Sequence, residues 1–280
     1  MREIAIVGAG QLGGIIAYGL ARRNAAATVR IIDAHGHVAE GKALDITQCA
    51  PLSGSAVTVV GSTDVMTAAA ADIIIVADRA DRGEWQGEEG TDLMGRLARL
   101  APAAIVLCAG HSQRGLVEEG ARLVPAGRER TLGTAPEALA GAARALVALA
   151  VDGSARDVAL SLLGVPPSRI VIPWNDATLA GFAVTSLISE PMRRQLDHRI
   201  AGLWPPGPYA LAAAVTNAVD AIDHRTRAVL CCFVAPDDTA GRRTRTAALP
   251  VRLGPEGLER VVLPTLEVVD RIALDNAMLL

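Results

Sequence analysis

Short apolar runs alternate with segments of helical periodicity through the first half of the chain. The apolar runs predict strands at residues 3–7, 28–33, 57–60, 72–77 and 104–109, and the helical spacing predicts helices at 11–23 and 91–100. Residues 72–77 read Asp-Ile-Ile-Ile-Val-Ala, which is typical of a central parallel strand buried on both faces. The alternation of strand and helix therefore predicts a doubly wound parallel α/β sheet.

The second half of the chain has a different pattern, with longer helices and more widely spaced strands. Helices are predicted at residues 136–151, 210–222 and 266–280, and strands at 158–163, 170–172 and 228–234. Residues 249–253 and 260–263 flank a Gly-Pro-Glu-Gly turn, a pattern that predicts a β-hairpin. This mixture predicts a C-terminal α+β domain of residues 135–280 after an N-terminal α/β domain of residues 1–134.

The turn between the first strand and the first helix carries a glycine fingerprint. Residues 8–13 read Gly-Ala-Gly-Gln-Leu-Gly, which is the G-x-G-x-x-G pattern of dinucleotide-binding Rossmann domains. In that pattern Gly8 permits the tight turn, Gly10 lets the backbone approach a pyrophosphate, and Gly13 lets the helix pack on the strand. The backbone N–H groups of Gln11 and Leu12 then point at the phosphates, at the positive end of the helix dipole.

An acidic residue closes the second predicted strand. Asp33 lies 20 residues after Gly13, where a carboxylate accepts hydrogen bonds from the ribose of NAD and repels the 2′-phosphate of NADP. A glycine-rich turn without a ligand is the alternative interpretation, but strand, turn, helix and acid fall in register. NAD is therefore the predicted cofactor, and the candidate binding residues are Gly8, Gly10, Gln11, Leu12, Gly13, Asp33, Ala77, Asp78 and Ala109.

Composition narrows the function classes. The net charge is −3 and the arginines are scattered, which argues against a nucleic-acid surface. The four cysteines form no C-x-x-C pair and no zinc-type spacing, so free thiols in a reducing cytoplasm are expected and no metal site is predicted. Segment 4–21 lacks the basic leader of a signal peptide, and residues 138–151 are too few to span a bilayer. We expect a cytoplasmic protein with a small-molecule substrate and neither a membrane nor a nucleic-acid partner.

Several segments outside the fingerprint occur in the order known from one enzyme family. Residues 40–45 read Glu-Gly-Lys-Ala-Leu-Asp and are followed by Ala-Pro at 50–51. Gly133-Thr134, Pro173-Trp174 and the hairpin segment 250–263 follow later in the chain. Together these segments resemble the lactate/malate dehydrogenases over nearly the whole chain. The resemblance implies a homo-oligomer, a dimer or tetramer, and the apolar helix at 136–151 is a candidate contact surface.

The resemblance also implies a chemistry, which is hydride transfer between a 2-hydroxy acid and the nicotinamide. That chemistry uses a histidine as general acid/base, an aspartate that orients it, and arginines that clamp the carboxylate. The histidine belongs to a G-E-H-G-D segment, and the matching residues 164–168 place Pro166 there. In the segment that supplies the aspartate and an arginine, Glu137 keeps a carboxylate and Ala140 replaces the arginine.

Two further elements of the family's site are also altered. An asparagine-proline pair becomes Gly110-His111, which places His111 near the nicotinamide end of the cleft. In the mobile loop, residues 78–90, the family's arginine positions align with Asp81 and Gly87, so Arg79 and Arg82 are the available substitutes. The loop's acidic residues, Glu84, Glu88 and Glu89, would repel a carboxylate substrate. Malate or lactate chemistry is therefore not expected.

Two functions remain open from the sequence. The first is an NAD-dependent oxidoreductase for a non-standard carbonyl or imine compound, with candidate catalytic residues His111, Glu137, Arg82 and Asp176. Each of these has a structural alternative: Glu137 as a first-turn helix acid, His111 and Arg82 as loop residues, and Asp176 as a turn residue. The second function is a non-catalytic NAD-binding protein that serves as a structural, sensing or scaffold partner.

Overall fold

The computed structural model describes residues 2–124, 126–237 and 245–279. Its strands are β1 (Glu3–Val7), β2 (Thr28–Ile32), β3 (Thr58–Ser62), β4 (Ile73–Val76), β5 (Asp78–Arg79), β6 (Gly83–Glu84), β7 (Ile105–Cys108), β8 (Thr131–Gly133), β9 (Val158–Ala159), β10 (Leu163–Val165), β11 (Arg169–Val171), β12 (Thr178–Leu179), β13 (Phe182–Ala183), β14 (Leu230–Val234), β15 (Ala247–Gly254) and β16 (Gly257–Val261). Its helices are α1 (Gln11–Arg22), α2 (Gly36–Ser53), α3 (Gly87–Leu100), α4 (Arg114–Leu123), α5 (Gly127–Arg130), α6 (Ala135–Ala150), α7 (Val184–Leu187), α8 (Glu190–Ala201), α9 (Pro208–Ile222) and α10 (Val268–Met278).

Parallel strands of the first half form one side of the main sheet, in the order β3-β2-β1-β4-β7-β8. This order reverses between β1 and β4, and ligands of such sheets bind at the carboxyl ends of the strands beside that reversal. All four residues of β4 are buried, as its apolar sequence predicts. The predicted doubly wound α/β fold is confirmed.

The sheet continues into the second half of the chain without a break. Strand β14 pairs antiparallel with β8, and β15, β10 and β11 extend the sheet beyond it. The predicted C-terminal hairpin is present as β15 and β16, with Leu253 opposite Leu258. One apolar core includes residues of both halves, for example Ile6 and Phe233. The domain boundary at Thr134, between β8 and α6, stays a prediction.

Several predicted bounds are corrected by the structure. The single strand predicted at 158–163 is divided between β9, in a small sheet with β12, and β10, in the main sheet. Helix α3 begins at Gly87, four residues before the predicted start at 91. The short hairpin of β5 and β6 and the polar helix α8 were not predicted, because neither has an apolar periodicity that separates it from a loop.

Helix α6 confirms the helix predicted at 136–151. Its apolar residues Leu139, Ala143 and Val147 are fully buried inside the chain, against α9, β14 and α8. They are therefore unavailable to a second protomer, but Ala145 and Leu149 on the other face of α6 are exposed, so contact between protomers through α6 stays a prediction. In the described part of the chain, no helix combines the length and hydropathy required to cross a bilayer.

Candidate active site

The glycine turn lies at the carboxyl end of β1, where the chain enters α1. Gly8 has a φ of +122°, in the region that favours glycine. A Cβ on Gly13 would overlap the Gly8 carbonyl oxygen, so α1 packs on the turn only because Gly13 lacks a side chain. The N-cap of α1 is Gly10, which has no side chain to satisfy the first N–H groups of the helix.

A carboxylate from another strand satisfies those N–H groups. Asp78 is the first residue of β5, just beyond β4. Its Oδ2 and Oδ1 accept hydrogen bonds from the backbone N–H of Leu12 at 3.2 Å and Gly13 at 2.9 Å. A Cβ on Gly10 would overlap this carboxylate. The predicted pair of phosphate-facing amides was Gln11 and Leu12, whereas the pair that faces an anion here is Leu12 and Gly13.

Asp33 is buried at the end of β2 and already has several donors. Its carboxylate accepts hydrogen bonds from the backbone N–H of Ala9 at 2.7 Å, His35 at 2.9 Å and Ala80 at 3.0 Å. Burial raises the pKa of Asp33, but these hydrogen bonds outweigh it and hold the pKa below its usual value. The carboxylate is thus ionised and fixed beside the glycine turn.

The chain's single lysine lies in the same place. Lys42, in α2, donates a hydrogen bond from Nζ to the carbonyl oxygen of Gly10. Burial lowers the pKa of Lys42, and the charges of Asp78 and Asp33 partly oppose that effect. Lys42 was not predicted as a site residue, although a sole lysine beside a glycine fingerprint was an available signal.

The short hairpin of β5 and β6 covers this end of the sheet. Arg79 stacks over the Trp85 ring, with its guanidinium carbon 4.6 Å from the ring centroid, and pairs with Glu89. Arg82 pairs with Asp81 and Glu89 at 3.3 Å and is exposed. Both arginines are therefore paired with the loop's own acids, in a position unlike that of a substrate clamp.

A cavity of about 370 Å³ lies between this hairpin and Asp33. Its wall includes His35, Arg79 and Trp85, and the buried Nε1 of Trp85 has no hydrogen-bond partner. An aromatic side chain and a carboxylate in the wall of one cavity suit a nucleoside, since a base stacks and a sugar hydroxyl donates.

Glu84, at the end of the same hairpin, holds the turn after β7. Its Oε1 accepts from the backbone N–H of His111 at 3.0 Å and lies 2.7 Å from His111 Nδ1. Its Oε2 accepts from the backbone N–H of Ser112 at 2.9 Å and from the Ser112 hydroxyl. The imidazole of His111 also meets the edge of Trp204, with ring centroids 6.2 Å apart. Carboxylate and histidine therefore form a close pair at the carboxyl end of β7.

Glu137 has a different set of partners. It is 4% exposed, forms an ion pair with Arg144 at 2.8 Å, and accepts from the backbone N–H of Cys231 at 2.8 Å. Burial lowers the pKa of Arg144, but the charge of Glu137 outweighs it and raises the pKa. The pair lines a cavity of about 580 Å³ together with Arg156.

The four predicted catalytic residues are not brought together by any described contact. His111 contacts Glu84, Glu137 contacts Arg144, and Arg82 contacts Glu89. Asp176 is exposed, and its backbone N–H closes a turn onto the carbonyl of Pro173. Among the predicted cofactor residues, Ala77 and Ala109 directly follow β4 and β7 and are fully buried.

Comparison with known families and structures agrees with this geometry. Residues 2–117 match the family model described as lactate/malate dehydrogenase, NAD binding domain. The malate dehydrogenase of Nitrosococcus oceani is 26% identical over 286 aligned positions, which cover 95% of this chain and 92% of that protein.

Solved structures of the same kind share the fold. Malate dehydrogenase from Salinibacter ruber has a TM-score of 0.84 at 23% identity, over 98% of this chain and 93% of that one. Lactate dehydrogenase from Cryptosporidium parvum, solved with lactic acid and nicotinamide adenine dinucleotide, has a TM-score of 0.86 at 21% identity, over 99% and 94%. The predicted NAD-binding Rossmann domain is thereby confirmed.

Proposed function

We propose that this chain is an NAD-dependent oxidoreductase of the lactate/malate dehydrogenase family and that it reduces a carbonyl or imine compound other than oxaloacetate or pyruvate. The observation that carries this proposal is the pair of His111 and Glu84, with 2.7 Å between Nδ1 and Oε1. It places a histidine and its orienting carboxylate at the carboxyl end of β7, where the family resemblance puts the nicotinamide.

The chain's residues fit the dinucleotide. The N–H groups of Leu12 and Gly13 already hold an anionic group, the Asp78 carboxylate, so they fit a phosphate. The cavity beside Asp33 fits the adenosine half. When bound there, NADH supplies the hydride.

His111 is the proton donor in this proposal. A carboxylate 2.7 Å from Nδ1 holds the ring in one orientation, as in other histidine–carboxylate pairs. The opposite nitrogen can then protonate the oxygen or nitrogen of a reduced substrate. Glu84 is a positioning residue, since it acts through His111.

The residues present disfavour a 2-hydroxy acid. Pro166 stands where the resemblance places the catalytic histidine, and Ala140 stands where it places a clamp arginine. Arg82 is already paired with Glu89. An ionised carboxylate on the substrate would therefore lack the family's clamp arginine and would meet the acidic hairpin.

Turnover assays test this proposal. NADH oxidation is measured with oxaloacetate, pyruvate, aldehydes, ketones and cyclic imines, and activity is expected only in the last three classes. In His111→Gln, kcat is expected to fall by about 10²–10⁴-fold, because the aligned acid is lost. The matched control is His198→Gln, in α8, which is expected to keep full activity. Rapid reduction of oxaloacetate or pyruvate, or full activity of His111→Gln, would contradict the proposal.

A second candidate function is favoured by the donors that surround Asp33 and by the Asp78 carboxylate. Both carboxylates are engaged with backbone N–H groups, as in a domain that is stable without ligand. A non-catalytic NAD-binding protein with a sensing or scaffold role would show NADH binding and no turnover across the whole substrate panel.

A further inference from the structure

We infer that the Asp78 side chain is a gate of the cofactor groove: its carboxylate occupies the pyrophosphate position and must turn away before a dinucleotide binds. This inference rests on the dinucleotide binding proposed above. It concerns how the groove is controlled, and it is independent of the substrate.

The contacts of Asp78 are those of a bound anion. Each carboxylate oxygen accepts from a different backbone N–H, one from Leu12 and one from Gly13. These two N–H groups lie in the first turn of α1, where the helix dipole favours negative charge. The carboxylate also lies against Gly10, in the space left by the absent side chain, where a phosphate would otherwise fit. A phosphate and this carboxylate therefore compete for the same space and the same donors.

The backbone of Asp78 is fixed even though its side chain can move. The carbonyl oxygen of Asp78 accepts from the backbone N–H of Gly10 at 2.8 Å, and the residue pairs with Glu84 in the hairpin. Rotation about the Cα–Cβ bond is therefore enough to vacate the two N–H groups. The hairpin need not open, so Glu84 can stay on His111 while the groove fills.

Lys42 places a positive charge beside the groove in both states. Its ammonium group is hydrogen-bonded to Gly10, and Asp78 and Asp33 are the negative charges that act on it. A pyrophosphate would replace Asp78 as the counter-charge, so the lysine favours either occupant. The cost of opening is then the loss of two charge-assisted hydrogen bonds.

Affinity measurements test the gate directly. NADH is titrated into the wild-type protein, Asp78→Asn, Asp78→Ala and the control Glu88→Gln, which removes an exposed charge nearby in α3. The two Asp78 variants are expected to bind NADH at least about tenfold more tightly than wild type, since the competing anion is gone. Glu88→Gln is expected to match wild type within about twofold.

A second readout requires no NADH. Lys42 is the chain's sole lysine, so reductive methylation with ¹³C-formaldehyde labels one side chain besides the terminal amine. Asp78 raises the pKa of Lys42 against the effect of burial. The ¹³C signal of Lys42 is therefore expected to titrate at lower pH in Asp78→Asn than in wild type, and to stay in place in Glu88→Gln.

The two readouts separate the possible failures. Wild-type protein that binds NADH as tightly as both Asp78 variants would overturn the gate. If no variant binds NADH, the proposed function fails, and the Lys42 signal then decides whether the Asp78 carboxylate lies on the glycine turn. A shifted titration would still place the carboxylate on the glycine turn, whereas an unshifted one would overturn that placement as well.

Discussion

At the scale of single residues, two aspartates determine the state of the cofactor groove. The sequence placed Asp33 and Asp78 at the ends of β2 and β4, because apolar runs end there. Their hydrogen-bond donors could not be predicted, because the N–H groups of Ala9, Ala80 and α1 meet these carboxylates only through tertiary packing. Lys42 was overlooked for the same reason, because its contact with Gly10 spans 32 positions.

Asp33 makes stability depend on pH in a defined direction. Its pKa in the folded protein lies below the ordinary value, so it stabilises the fold above about pH 4 and loses that effect as the pH falls through the folded pKa. Asp33→Asn is expected to lower the free energy of unfolding at pH 7 by about 1–3 kcal/mol. When that free energy is measured by urea unfolding at several pH values, its decrease at acidic pH (the acid limb) is expected to be less steep than in wild type. Asp64→Asn, at an exposed turn, is the control, and an acid limb of unchanged slope in Asp33→Asn would contradict this account.

At the scale of elements, the contact of α1 with the glycine turn determines the shape of the cofactor groove. The fingerprint predicted this contact correctly because each glycine has a steric reason that can be stated in advance. The hairpin of β5 and β6 escaped prediction because its two-residue strands carry no periodicity. That hairpin nonetheless supplies Glu84 to His111, so the catalytic pair proposed here was only half visible in the sequence.

Substitution of Gly13 tests this packing. Gly13→Ala is expected to destabilise the protein by about 1–3 kcal/mol, because the new Cβ would overlap the Gly8 carbonyl oxygen. The matched control is Gly41→Ala, on the exposed side of α2, where a Cβ meets nothing within 4 Å. That variant is expected to gain up to about 1 kcal/mol from helix propensity. Equal thermal midpoints for the two variants would refute the packing argument.

At the scale of the whole molecule, the sequence predicted the fold better than the site. Periodicity and the order of strands are carried by many residues, so single errors such as the divided strand at 158–163 do not change the architecture. The site depends on a few side chains whose partners are distant in sequence, such as Glu84 and His111 or Glu137 and Arg144. The homo-oligomer, its contact through α6 and the cytoplasmic location stay predictions.

The central claim is that NAD binds in the groove that Asp78 now fills, and a crystal structure of the protein grown with saturating NADH tests it most directly. We expect the pyrophosphate on the N–H groups of Leu12 and Gly13, the Asp78 carboxylate turned out of the groove, and His111 still paired with Glu84 beside the nicotinamide. A structure in which Asp78 keeps both N–H groups, with NADH absent or bound elsewhere, would contradict the claim.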